Sequence, residues 1–229
     1  MKIAFCGDSF CADTKTGTWP NLIVQKLDAS LMWKGHHGAN QYTILKQAKK
    51  LLLQKPDLII FTHTEPYRLA NRHDEPLGAR PCSTNIHPKI QQHLSGQWKD
   101  KDKVWLAGHW YYEHLMDFGY HEITHIALLK ECENICKEAG VKALHLFSFS
   151  TKELGFRDYN WDVELENSYT KQSLAKISYM YQTPDNDNQS FNEPGWKTLP
   201  NHMNYEGNKH VYDLAVSYTH LRAHETRIH

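Results

Sequence analysis

No apolar run in this chain approaches the ~18 residues a membrane-crossing helix needs, so no such helix and no membrane partner are expected. An excess of either charge is also missing: Lys plus Arg number 26 and Asp plus Glu number 26 in 229 residues. That balance offers no electrostatic ground for binding nucleic acid, and none is expected. Cysteine is sparse and odd in number, at Cys6, Cys11, Cys82, Cys132 and Cys136. Cys132 and Cys136 stand four apart in a helical pattern, which is not zinc-ribbon spacing, so reduced thiols in a reducing compartment are expected. The first apolar stretch, Ile3-Ala4-Phe5-Cys6, is too short for a signal peptide, and a cytoplasmic location follows as an expectation. A Walker-type glycine loop is absent, which sets nucleotide-driven chemistry aside. Also absent is the Gly-x-Ser-x-Gly elbow of α/β-hydrolases, since Cys11 stands two residues after Ser9. No internal repeat and no linker marks a second domain.

What is present suffices for a core: 40% of the residues are apolar and 12% aromatic. Residues 2 to 6 form an apolar run before Gly7-Asp8-Ser9, the pattern of a buried strand ending in a turn. Trp19, Leu22, Ile23, Val24 and Leu27 make a helical face, with Pro20 tolerated in its first turn. Residues 30 to 34 read as a second strand before Gly35-His36-His37-Gly38. Ile44, Ala48, Leu51 and Leu52 mark a helix that Pro56 ends. The clearest buried strand is Asp57 to Thr62. Residues 71 to 103 read as a long polar connection, and 104 to 117 as an aromatic-rich helical pattern. A strong helix over 120 to 138 is closed by Gly140, and Val141 to Phe147 is another strand. Residues 151 to 200 are weakly patterned and read as an insertion; Glu206 to Ala215 starts a last helix. Strands and helices in alternation predict a three-layer α/β/α sandwich with a mostly parallel sheet. Ligands in such sheets bind beyond the C-terminal strand ends. There Gly7-Asp8-Ser9, Gly35 to Gly38 and His63-Thr64-Glu65 should converge.

Ser9 follows the first strand and precedes helical chain, where free N–H groups favour developing negative charge. A nucleophilic hydroxyl needs a base and oxyanion donors besides. Gly7-Asp8-Ser9-Phe10 with Thr18-Trp19-Pro20 resembles the first block of the SGNH (GDSL-like) hydrolases. Gly35-His36-His37-Gly38-Ala39-Asn40 resembles their second block, and His202-Met203-Asn204-Tyr205-Glu206-Gly207-Asn208 their last. With Thr64-x-x-x-Arg68 in place of the third block, the chain is similar to phage-encoded members. The resemblance implies a flavodoxin-like hydrolase fold and a metal-independent serine ester hydrolase without cofactors. Ser9 would be the nucleophile and His202 the base. Ser9, Gly38 and Thr64 would hold the oxyanion, and Asn40 and Arg68 are candidate substrate-binding residues. Arg68 is read equally as an anion-binding group and as a surface ion pair with Glu65. Asp8 reads as a hydrogen-bond anchor for its turn. The implied substrates are small-molecule or carbohydrate esters with short acyl groups, O-acetyl groups on sugars among them.

Two positions depart from the family pattern. Thr64 stands where the family has an oxyanion-donating Asn, and a hydroxyl has less reach than an amide. Leu199 stands where the family has an Asp three residues before the histidine. A Ser–His dyad lacks the charged partner that stabilises an imidazolium. These departures define the alternative: a carbohydrate-binding or structural module of the same fold with an impaired site. A further alternative is zinc hydrolysis through His121-Glu122-Ile123-Thr124-His125, which fits His-Glu-x-x-His on a helix. A chain with 16 histidines meets that pattern readily by chance, and no third ligand is evident. No metal is expected.

The domain is expected to span residues 1 to 215. Residues 216 to 229, beginning Val216-Ser217-Tyr218-Thr219-His220, look like translated sequencing-adapter DNA and read as a non-native tail that truncates the final helix. Nothing in the sequence specifies an oligomeric state.

Overall fold

The structure is a computed structural model that describes residues 1–70, 106–108, 110–112, 114–150, 163, 165–169, 171–181 and 203–225. In chain order the elements are β1 (Lys2–Gly7), a 3₁₀ turn (Ser9–Cys11), α1 (Trp19–Lys26), β2 (Ser30–Trp33), α2 (Gln41–Leu52) and β3 (Leu58–His63). There follow α3 (Phe118–Glu138), β4 (Lys142–Phe147), β5 (Ser168–Tyr169), α4 (Leu174–Met180) and α5 (Tyr205–Glu225). The residues described between 106 and 114 are helical, in agreement with the aromatic-rich pattern there. The connection at 71 to 103 lies outside the described residues.

The five strands are parallel and ordered β2-β1-β3-β4-β5. Alternation along the strands sends side chains to two separate cores. Ile3, Phe5, Leu58, Ile60, Leu144 and Leu146 face one side, where Trp19 and Ile23 of α1 and Val211 and Ala215 of α5 cover them. Ala4, Cys6, Ile59 and Phe61 face the other, against Ile44, Ala48 and Leu51 of α2 and Cys132 and Cys136 of α3. Strands buried on both faces are mostly apolar, which is why β1 and the greater part of β3 read as continuous runs rather than alternating ones. Phe5 meets Trp19 edge-on at 5.4 Å between ring centroids, tying α1 to β1. The three-layer α/β/α sandwich with a parallel sheet is therefore present as expected.

Helix ends follow local chemistry. Asn40 caps α2, Asp117 caps α3 and Ser173 caps α4, each accepting a backbone N–H two or three residues into its helix. Gly140, at φ 65°, takes the left-handed position that ends α3. Two short elements, β5 and α4, occupy part of the stretch expected to be an irregular insertion. β5 contributes only two residues, and no periodicity can announce a strand that short.

The last helix crosses the expected domain end. It runs without interruption from Tyr205 to Glu225, and Tyr218 packs half-buried against the α1/α5 core, edge-on to Tyr169 at 5.9 Å. Val211, Ala215 and Tyr218 lie at i, i+4 and i+7, one face of one helix.

Candidate active site

The sheet order reverses between β1 and β3, and a crevice at such a point is where open α/β sheets bind ligands. Ser9 lies there, on the turn directly after β1. Asp8, extended at φ −91° and ψ −155°, caps the 3₁₀ turn by accepting the Phe10 N–H on Oδ1 at 3.1 Å. The same oxygen accepts from Ser148 Oγ, just past β4, at 2.9 Å and lies 3.4 Å from the donating Thr62 Oγ1 of β3. Asp8 is fully buried. It anchors its turn as expected, and it also pins the turn to β3 and to the chain just past β4. Ser9 itself is half-buried, and among the described residues its hydroxyl has no hydrogen-bond partner. Cys11, two residues on, is not a rival nucleophile: burial holds its thiol up at about 12, protonated and unreactive.

The Gly35–Gly38 turn lies against this one. His36 N–H donates to Gly7 O at 2.9 Å, and Gly35 N–H to Cys11 O at 3.2 Å. A Cβ on Gly35 would overlap Cys11 Sγ and stand 2.8 Å from both Asp8 O and Gly7 O, so only glycine permits this approach. Gly38 has φ 71°. Thr64, directly after β3, is fully buried, and its Oγ1 has no hydrogen-bond partner among the described residues. Buried hydroxyls are nearly always paired, so an orphan beside this crevice calls for a functional account.

The Arg68 side chain is only 14% exposed, and it does pair with Glu65, below the surface. Nε donates to Glu65 Oε1 at 3.1 Å, and Nη1 to the Ala39 carbonyl at 3.1 Å. Nη1 also lies 3.4 Å from Asp8 Oδ2, an ion pair without the alignment of a hydrogen bond. The guanidinium rests over the Phe149 ring at 5.4 Å. Glu65 is itself buried, which raises its pKa, opposed by Arg68 and by the Tyr67 N–H it accepts at 2.7 Å. Asn40, the other candidate substrate-binding residue, spends its Oδ1 on the α2 cap, accepting Thr43 N–H at 2.9 Å.

His202 lies outside the described residues, as do Leu199 and Cys82. Its chain neighbour Met203 is buried, and the following turn is bound to the first block of the chain. Asn208 accepts Trp19 N–H on Oδ1 at 2.8 Å and donates from Nδ2 to Met203 O at 3.1 Å and Asn204 O at 2.9 Å. Trp19 in turn donates its indole N–H to Phe10 O, next to Ser9, at 2.8 Å.

His121 and His125 have different surroundings. His121 is engaged by Tyr111 Oη at 2.7 Å and the Pro66 carbonyl at 3.2 Å. His125 is buried in the interior, where desolvation lowers its pKa to about 3. Among the described residues no three His, Cys, Asp or Glu side chains are grouped to hold a metal ion. Burial with His125 and His145 nearby keeps His63 neutral, the proximity to His125 adding to the fall in its pKa. His63 and His145, on β3 and β4, approach at 2.8 Å between Nε2 and Nδ1, with Gln41 Nε2 3.0 Å from His63 Nδ1. Burial lowers the pKa of both, that of His145 to about 3. Ser148, which holds Asp8, was equally invisible to motif reasoning; only its place just past a buried strand marks it.

No protein-family model matches this sequence, and no curated protein matches it. Among solved structures, TesA is similar at 12% identity over 68% of this chain and 66% of that one, TM-score 0.38; the chain thus spans just under two thirds of TesA. The psychrotrophic esterase EstA from Pseudoalteromonas sp., in a form inhibited by monoethylphosphonate, is similar at 11% identity over 97% of this chain and 98% of that one, TM-score 0.48. A protein assigned to the lipolytic G-D-S-L family of Desulfitobacterium hafniense DCB-2 is similar at 14% identity over 95% and 98%, TM-score 0.33. At these scores the fold assignment rests on strand order and layering, not on the likeness.

Proposed function

We propose that this chain is a metal-independent serine ester hydrolase of the SGNH type, acting on short acyl esters such as O-acetyl groups of carbohydrates. Ser9 Oγ attacks the acyl carbonyl, and His202 takes its proton and later delivers it to the leaving alcohol. The backbone N–H groups of Ser9 and Gly38 receive the developing oxyanion, with Thr64 Oγ1 as third donor. The observation that carries this reading is the meeting of three loop turns at the β1/β3 switch point, with a fully buried Asp8 holding the serine turn in place. The buried, unpartnered Thr64 hydroxyl supports it, because an oxyanion would satisfy that donor. Free buried thiols at Cys6, Cys11, Cys132 and Cys136 support a reducing, cytoplasmic setting.

A fluorophosphonate probe tests the assignment directly. Covalent labelling that maps to Ser9 by mass spectrometry is the expected result. An unlabelled, folded protein would favour the impaired binding module, the reading that Leu199 in the place of an acid supports.

A further inference from the structure

The Arg68 side chain touches three loops, and each contact falls on the chain neighbour of a proposed oxyanion donor. Nη1 faces Asp8, which precedes Ser9. Nη1 also donates to the carbonyl of Ala39, which follows Gly38. Nε donates to Glu65, which follows Thr64. We propose that Arg68 is a positioning residue that clamps the three oxyanion-holding loops into register, and that it does not itself bind an anionic part of the substrate.

The inference rests on the hydrolase reading above and deepens it. An oxyanion hole works because its donors are aimed before charge develops, so their spacing must survive without substrate. Ser9, Gly38 and Thr64 sit on separate loops after β1, β2 and β3, and strand pairing ends before each of them. A planar guanidinium with donors in a rigid fork suits such a task; a lysine ammonium is a single point on a flexible stem. The charge balance argues the same way. Two carboxylates, Asp8 and Glu65, flank the one cation, and Phe149 covers a face of the guanidinium. A substrate carboxylate would meet a cation already neutralised, so the site suits esters with uncharged acyl groups.

The test compares p-nitrophenyl acetate with p-nitrophenyl hemisuccinate, a neutral and an anionic ester, on the full chain. Arg68→Lys should lower kcat at least tenfold on both, leave each KM within about threefold, and leave the circular dichroism spectrum unchanged. Affinity for a small alkylboronic acid, which places a tetrahedral anion on Ser9, should fall by the same factor as kcat/KM. A KM rise confined to the hemisuccinate, or a folded variant with unchanged kcat, would overturn the clamp. Glu65→Gln decides the matter if Arg68→Lys does not fold. It keeps an acceptor for Nε while removing one neutralising charge. An unchanged KM for the hemisuccinate supports the clamp; a tenfold fall would show that Arg68 recruits anions. Failure of the hydrolase reading appears separately, in the unsubstituted protein, as absent labelling of Ser9.

Discussion

Asn208 receives the backbone N–H of Trp19 at 2.8 Å, a bond between residues 189 positions apart. Through Nδ2 it also holds the carbonyl of Met203, so one buried amide joins the chain's first helix to the residue after His202. Asn208→Ala leaves a buried N–H and a buried carbonyl unpaired, at a cost of about 1–3 kcal/mol. We expect a matching drop in melting temperature and a fall in kcat larger than the lost folded fraction explains. An activity loss that merely tracks unfolding would show that Asn208 supports the fold and not the placement of His202.

Ser9→Ala should abolish hydrolysis of p-nitrophenyl acetate with no change in melting temperature. Ser9 is half-buried and its hydroxyl is bonded to nothing among the described residues, so the fold loses little with it. In the unsubstituted protein, turnover should survive dialysis against a strong chelator, since the proposed chemistry uses side chains and backbone donors alone. Loss on chelation, with recovery on adding zinc, would redirect attention to a metal mechanism.

Acid should destabilise the protein through its interior histidines. His63, His125 and His145 are held neutral by burial, with pKa values below the unfolded value of about 6.5. Between that value and about 3, where His125 and His145 protonate in the folded state, the unfolded chain binds more protons. Their contribution is therefore complete above pH 6.5 and declines as pH falls toward 3, by up to ~1.4 kcal/mol per unit for each group. Urea unfolding at pH 7 and pH 5 should differ by more than about 2 kcal/mol. His125→Leu should reduce that difference, and a stability profile flat from pH 7 to 5 would contradict the buried neutral state.

The final helix gives a graded prediction. Val211 is buried in the core beneath α5, and aspartate there would strand a carboxylate among apolar side chains, costing ~3 kcal/mol or more. Deleting residues 216 to 229 removes Tyr218 and its edge contact with Tyr169. That deletion should cost no more than Tyr218→Ala, about 1 kcal/mol. Melting curves of the three variants rank these effects. A deletion that costs more than Val211→Asp would make the tail an integral part of the domain.

Much of this molecule was legible in the chain alone. The runs at 2–6, 57–62 and 141–147 correspond to β1, β3 and β4, because a strand buried on both faces is apolar over most of its length. The helix expected at 120–138 is α3, and Gly140 closes it because the left-handed position there favours a residue without Cβ. The loops bearing Ser9, Gly38 and Thr64 were expected at one sheet edge, and the β1, β2 and β3 ends put them there, since parallel strands bring their C-terminal ends to one side. Periodicity and turn chemistry are local, and they record burial and backbone shape. They do not record which distant residue a polar side chain will meet. That Ser148 bonds Asp8 across 140 positions, that His63 pairs with His145, and that Arg68 faces inward to two carboxylates follow from the strand order β2-β1-β3-β4-β5. Only that order sets the loops after β1, β2, β3 and β4 side by side, at the few ångströms over which hydrogen bonds and ion pairs act.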